Sequence, residues 1–201
     1  MMTNLSMSLV NTLYNLQLMR FTGEDGVAAY GVIMYVNFIF VAIYMGYSIG
    51  SAPIVGYHYG AKHQEELRGL LRRSLWILGI GAVLLTVAGE LFSSPLSKIF
   101  VSYDDALFAM TRHGFRLYSL SYLLCGFNIF GSAFFTALNN GMVSAVISFA
   151  RTLVFQIVCV LVLPIFLELN GIWISILVAE FLGILVTASL LIANRKKYSY
   201  F

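Results

Sequence analysis

Met142 to Leu167 reads MVSAVISFARTLVFQIVCVLVLPIFL, and Ile172 to Ala193 reads IWISILVAEFLGILVTASLLIA. At about 1.5 Å per residue each run is long enough to cross a hydrocarbon core about 30 Å thick. Only Glu168, Leu169, Asn170 and Gly171 separate them, and Asn-Gly is a turn signal. Two such runs in succession predict a helical hairpin immersed in lipid, where a helix satisfies its own backbone polar groups.

The same reading extends through the chain. Apolar runs bounded by charges or turn residues predict six membrane-spanning helices at residues 2–20, 27–59, 70–92, 107–138, 142–167 and 172–193. Gly23 to Gly26 divides the first two, Ser93-Ser94-Pro95 ends the third, and Asn139-Asn140-Gly141 opens the fifth. Composition agrees: 60% of the 201 residues are hydrophobic and 10% charged, with mean hydropathy +0.86. A soluble domain is about a quarter charged, so this chain is read as an all-α membrane protein, a single transmembrane unit over 1–201 with the bilayer as its partner.

The net charge of +3 lies in short loops, which points to orientation in a membrane and away from a nucleic-acid partner. Lys62, Arg68, Arg72, Arg73, Arg195, Lys196 and Lys197 fall on one side, and Arg20, Lys98, Arg112 and Arg116 on the other. Seven against four, with Arg151 set aside, predicts cytoplasmic placement of the second-to-third loop and of both termini. Cys125 and Cys159 read as small buried hydrophobes, and no removable signal peptide is evident. There is no P-loop and no zinc-ligand cluster, so no enzyme activity, cofactor or metal is expected. His58, His63 and His113 stand at helix ends, where hydrogen bonding at the interface is their simplest role.

Polar residues inside the spans carry the functional signal, because each is costly in hydrocarbon unless it faces protein or water. Asn4, Ser8, Asn11 and Asn15 recur at helical spacing on one face of the first helix; that face is expected to turn toward the interior, either holding helices together or lining a hydrated path. Glu180 is the one deep carboxylate, about 12 Å into its helix, and is expected to be protonated, paired or facing water. It is a candidate proton carrier or a structural hydrogen-bonding group, with no basic partner evident. Arg151 is placed at the cytoplasmic interface, because the residues after it are long enough to span alone; Arg112 and Arg116 are read as outer-interface anchors. The pairs Gly46/Gly50 and Gly56/Gly60 suggest close helix approach, and Pro53 between them suggests a kink.

The stretches Val27-Ala28-Ala29-Tyr30-Gly31 and Gly46-Tyr47-Ser48-Ile49-Gly50-Ser51-Ala52-Pro53-Ile54-Val55-Gly56-Tyr57-His58-Tyr59-Gly60-Ala61-Lys62 resemble helices seven and eight of multidrug and toxic compound extrusion (MATE) transporters. Leu96-Ser97-Lys98-Ile99-Phe100, Arg151, Gly171-Ile172-Trp173 and Glu180 extend the resemblance along the chain. It implies one six-helix lobe of a twelve-helix transporter, with a central cavity of alternating access. It also implies export of drugs or other cationic or amphiphilic compounds in exchange for H+ or Na+, at the cell membrane.

Two departures shape those expectations. The chain offers six helices where the family has twelve, so it resembles a C-terminal lobe, expected to be a fragment or to work with a missing N-terminal lobe or a second chain. Sodium-coupled members place acidic residues in helices seven and ten, where this sequence has Val10, Asn11 and Asn15, then Cys125 and Asn128. Asn11, Asn15, Asn128 and Glu180 are the candidates for the substrate cavity or for coupling. The alternatives are a lipid-linked oligosaccharide flippase of the same superfamily, which would need several deep basic residues for pyrophosphate, or an inactive six-helix remnant.

Overall fold

The computed structural model describes residues 2–198 and 200, with the side chains of residues 2–5, among them Asn4, outside the described set. The first span is α1, Met2–Thr22, and it turns through Gly23 alone, whose φ of 67° suits glycine, into α2, Glu24–Gly60. The third span, α3, runs Gln64–Val101. The fourth is a pair, α4 (Asp105–Ser119) and α5 (Tyr122–Ala137), bent by 47°. Next come α6 (Gly141–Phe149), a π-helical segment (Ala150–Phe155) and α7 (Gln156–Tyr198).

Three of these stretches are each long and apolar enough to cross a membrane, and the bent pair makes a fourth. The remaining two crossings follow from geometry. A straight helix over Gly141–Tyr198, 58 residues, would be about 87 Å long, far more than a bilayer. The chain instead doubles back at Glu168, whose φ of 48° and ψ of −132° are not helical, so α7 has two antiparallel limbs. α1 is the sixth crossing, its hydropathy lowered by the Asn, Ser and Thr it carries. The described residues therefore form a six-helix transmembrane lobe.

Several predicted boundaries are corrected. Pro95 does not end the third helix: its missing N–H removes one hydrogen bond, and α3 continues to Val101, with Ser93 Oγ donating to the Glu90 carbonyl at 2.7 Å. The fourth span is broken near Leu120, not continuous over 107–138. The last turn falls at Glu168, two residues ahead of the Asn-Gly signal. Pro53 lies within the unbroken run of α2. The glycine pairs of α2 are not packing sites inside the lobe, since a Cβ at Gly46, Gly50 or Gly60 would meet nothing within 4 Å and one at Gly56 only the Ala137 carbonyl at 3.5 Å.

Aromatic residues fill the core. Tyr14 stacks on Tyr30 at 5.2 Å between centroids, Tyr44 donates to the Tyr122 carbonyl at 2.7 Å, and Trp173, Phe115, Phe134 and Phe135 are fully buried. Large apolar side chains such as Ile80, Leu84 and Leu91 on α3 and Ile165 and Phe166 on α7 point outward. That arrangement suits lipid as the outer solvent. Cys125 and Cys159 are buried free thiols.

Candidate functional site

A dense polar network forms where the second limb of α7 crosses α5. Glu180, Gly183 and Thr187 share one face of α7 at spacings of three and four, and Asn128 and Gly131 share one face of α5. The glycines allow the approach: a Cβ at Gly183 would lie 2.8 Å from Asn128 Nδ2, and one at Gly131 would collide with the Thr187 methyl. Asn128 Nδ2 donates to Glu180 Oε2 at 2.7 Å and to the Glu180 carbonyl at 3.0 Å. Thr187 Oγ1 donates to Asn128 Oδ1 at 2.8 Å.

A charge completes this network. Arg151 Nε donates to both Glu180 oxygens at 2.8 Å, and Arg151 Nη2 lies 2.7 Å from Oε1. The Glu180 side chain is 1% exposed and that of Arg151 15%. Arg151 belongs to the π-helical segment, an insertion frequent at functional sites because its wider turn re-aims a side chain. Arg151 is the basic partner of Glu180 that the sequence did not reveal, and its side chain is largely buried within the lobe. Measured from the break at Glu168, Arg151 lies about 25 Å down one limb and Glu180 about 18 Å down the other. The guanidinium arm covers the difference. A turn placed at Gly171 had made that gap look wider, and this concealed the pair.

A second polar cluster joins α5 to α6, and the sequence reading missed it. Ser132 Oγ lies 2.9 Å from Ser144 Oγ and 2.7 Å from Ser148 Oγ, and Thr136 Oγ1 lies 2.7 Å from Ser144 Oγ. The signal was available as hydroxyls at i, i+4 on each of two consecutive helices. At the opposite end of the lobe, Glu90 accepts from Arg116 Nε at 2.8 Å and from Ser119 Oγ at 2.9 Å, while Arg112 is exposed. His113 Nε2 lies 2.8 Å from Asn170 Oδ1.

The polar face of α1 does not turn into the lobe. Val10, Tyr14 and Leu18 point inward, while Ser8, Asn11 and Asn15 are exposed on the surface, with Asn11 Oδ1 accepting from the Tyr30 hydroxyl at 3.0 Å. Of the four candidates, the structure joins Asn128 to Glu180 and leaves Asn11 and Asn15 apart from them.

An all-helical membrane lobe built around a buried ion pair, with a polar helix on its outside, is the class of structure this fold and network define. The MatE family model matches residues 1–162, and the chain belongs to that family. It is similar to an inward-facing structure of a multidrug resistance MATE family transporter of the MOP superfamily, with TM-score 0.87, 22% identity, and coverage of 96% of this chain and 46% of that one. Also similar are a MOP superfamily transporter from Pyrococcus furiosus (TM-score 0.86, 21% identity, 98% and 44% covered) and the Vibrio cholerae MATE transporter VcmN in its bent form (0.81, 20%, 96% and 44%). A probable multidrug resistance protein of Bacillus subtilis (strain 168), YoeA, is 26% identical over 88 residues, 44% of this chain and 19% of that protein. The chain spans about half the length of the solved structures it matches.

Proposed function

We propose that the chain acts as the C-terminal lobe of a secondary exporter that moves small amphiphilic or cationic compounds, drugs among them, out of the cell in exchange for H+ or Na+. The observation that carries this reading is the exposed polar face of α1. Ser8, Asn11 and Asn15 stand on the outside of a membrane-spanning helix, where lipid is unfavourable and water or a second lobe is not. A second six-helix lobe, from an N-terminal part or another chain, encloses a cavity with these residues on its wall. Gly46 and Gly50, open on the surface of α2, suit close approach by such a neighbour. The lobe resembles outward-facing and inward-facing structures almost equally, with TM-scores of 0.86 and 0.87; that supports alternating access by movement of whole lobes.

Glu180 is the coupling group in this reading. A proton taken up by its carboxylate cancels the charge that holds Arg151, loosening the π segment from α7, and release of the proton restores the pair. Arg151, neutralised by Glu180, offers no free charge for a pyrophosphate, so the flippase reading is not favoured. The protein works in the cell membrane with both termini cytoplasmic. The test is efflux by the complete exporter containing this lobe, in everted vesicles at a series of pH values. Glu180→Gln is expected to insert normally and to flatten the pH dependence of efflux. An unchanged pH profile would reduce Glu180 to a structural role, and absence of any drug efflux by the unaltered exporter would defeat the export reading.

A further inference from the structure

At the end of the lobe that carries seven of the basic residues, the surface of α3 opens into a groove of about 420 Å³ lined by Arg68, Leu71, Arg72, Leu75, Trp76 and Tyr200. We propose that this groove binds one anionic phospholipid. Its phosphate sits at the Arg72 guanidinium, and its acyl chain runs along Leu75 and Trp76 onto the apolar face of α3.

The levels along α3 support this occupant. Leu75 to Phe92 is an unbroken stretch of 18 residues whose only charge is Glu90 near the far end, and at about 1.5 Å per residue it matches the hydrocarbon thickness. Leu75 and Trp76 therefore stand at the edge of the core. Trp76 is 68% exposed there, as expected for a tryptophan at the membrane interface. Arg72 is one turn, about 6 Å, further out, at the level of lipid phosphates. Arg68, another turn out, adds positive charge while also making a contact within the fold.

The opposite wall of the groove is fixed by the fold. Tyr200 packs on Phe134 at 5.3 Å and donates its hydroxyl to the Leu191 carbonyl at 2.9 Å. The run Arg195-Lys196-Lys197 just ahead of it adds to the positive field. Further along α3 from Trp76, Ile77, Ile80 and Leu84 are all exposed. A cationic mouth above an apolar wall complements a phospholipid of net negative charge, and basic pockets at helix ends take anionic headgroups in this way. A zwitterionic lipid would bring its own cation toward the two arginines.

Trp76 is a built-in reporter, because the other tryptophan, Trp173, is 1% exposed. The chain is reconstituted in phosphatidylcholine vesicles, and quenching of its fluorescence is compared for brominated phosphatidylglycerol and brominated phosphatidylcholine. Phosphatidylglycerol is expected to be preferred roughly five-fold, the effect of about one basic group beside an anionic headgroup. Arg72→Gln, at an exposed position, should bring the preference close to one, and Trp76→Phe should remove the selective quenching. Shielded Trp173 emission, read alone in Trp76→Phe and in the double variant Arg72→Gln/Trp76→Phe, reports that the lobe is intact. Equal quenching by the two lipids, or a preference that survives Arg72→Gln, would overturn the site. Absence of quenching by either lipid would also overturn it, since the groove would then be covered by protein.

Discussion

Arg151 and Glu180 are opposite charges on two limbs of one hairpin, largely buried within the lobe and bonded at 2.7–2.8 Å. Removing one partner of a buried pair strands the other, at a cost of about 3–5 kcal/mol, whereas replacing both with apolar groups is often close to neutral. Arg151→Met and Glu180→Met alone are therefore expected to lower the thermal unfolding midpoint in detergent sharply, and the double variant to recover most of the loss. Additive losses would mean that the two side chains do not interact. Asn128 supports the carboxylate from α5. Each residue of this network was visible in the sequence as a polar group in an apolar run, and Glu180, expected to be protonated, paired or facing water, is paired. The partner was not legible, because depth along two helices depends on where the chain turns. The break came at Glu168, a non-glycine residue at positive φ, which no composition rule would choose over Asn170-Gly171.

Helix packing depends on glycines other than those that form the obvious motif. Gly126 on α5 faces the Tyr44 ring so closely that a Cβ there would overlap it, and Tyr44 cannot easily withdraw because its hydroxyl is bonded to the Tyr122 carbonyl, one turn before Gly126. Gly126→Ala is thus expected to destabilise the lobe by about 1–3 kcal/mol, the usual cost of overpacking, while Gly46→Ala and Gly50→Ala, which meet nothing in the lobe, leave it unchanged. Thermal unfolding of the three variants of this chain reads the difference; equal losses would refute the packing. If a second lobe approaches α2, the same Gly46 and Gly50 substitutions should reduce efflux by the complete exporter. The GxxxG spacing was legible, but the surface it serves was not, since spacing names a face without naming its neighbour. Apolar runs located all six spans because hydrocarbon thickness sets their length. Their ends were less legible: α3 runs through Pro95 to Val101, and the fourth span is bent at Leu120, where backbone geometry outweighs composition.

The lobe as a whole is polarised. The loop between α2 and α3 and the end of α7 lie together, with Tyr59 and Tyr198 5.6 Å apart, and α3, 38 residues long, carries the chain about 57 Å to Asp104 at the far end. Lys and Arg divide seven to four between those ends, so the end holding Lys62 and Arg195–Lys197 is expected to face the cytoplasm. Native cysteines do not obscure the test, because Cys125 and Cys159 are both buried. Single cysteines at Glu65, Lys196 and Asp104, all exposed positions, can be probed in intact cells with a membrane-impermeant maleimide. Asp104→Cys should label, and Glu65→Cys and Lys196→Cys should label only after the membrane is permeabilised. The reverse pattern would invert the orientation while keeping the fold. Labelling of Lys196→Cys without Glu65→Cys in intact cells would contradict the fold itself, because an even number of crossings separates those two positions and puts them on one side of the membrane.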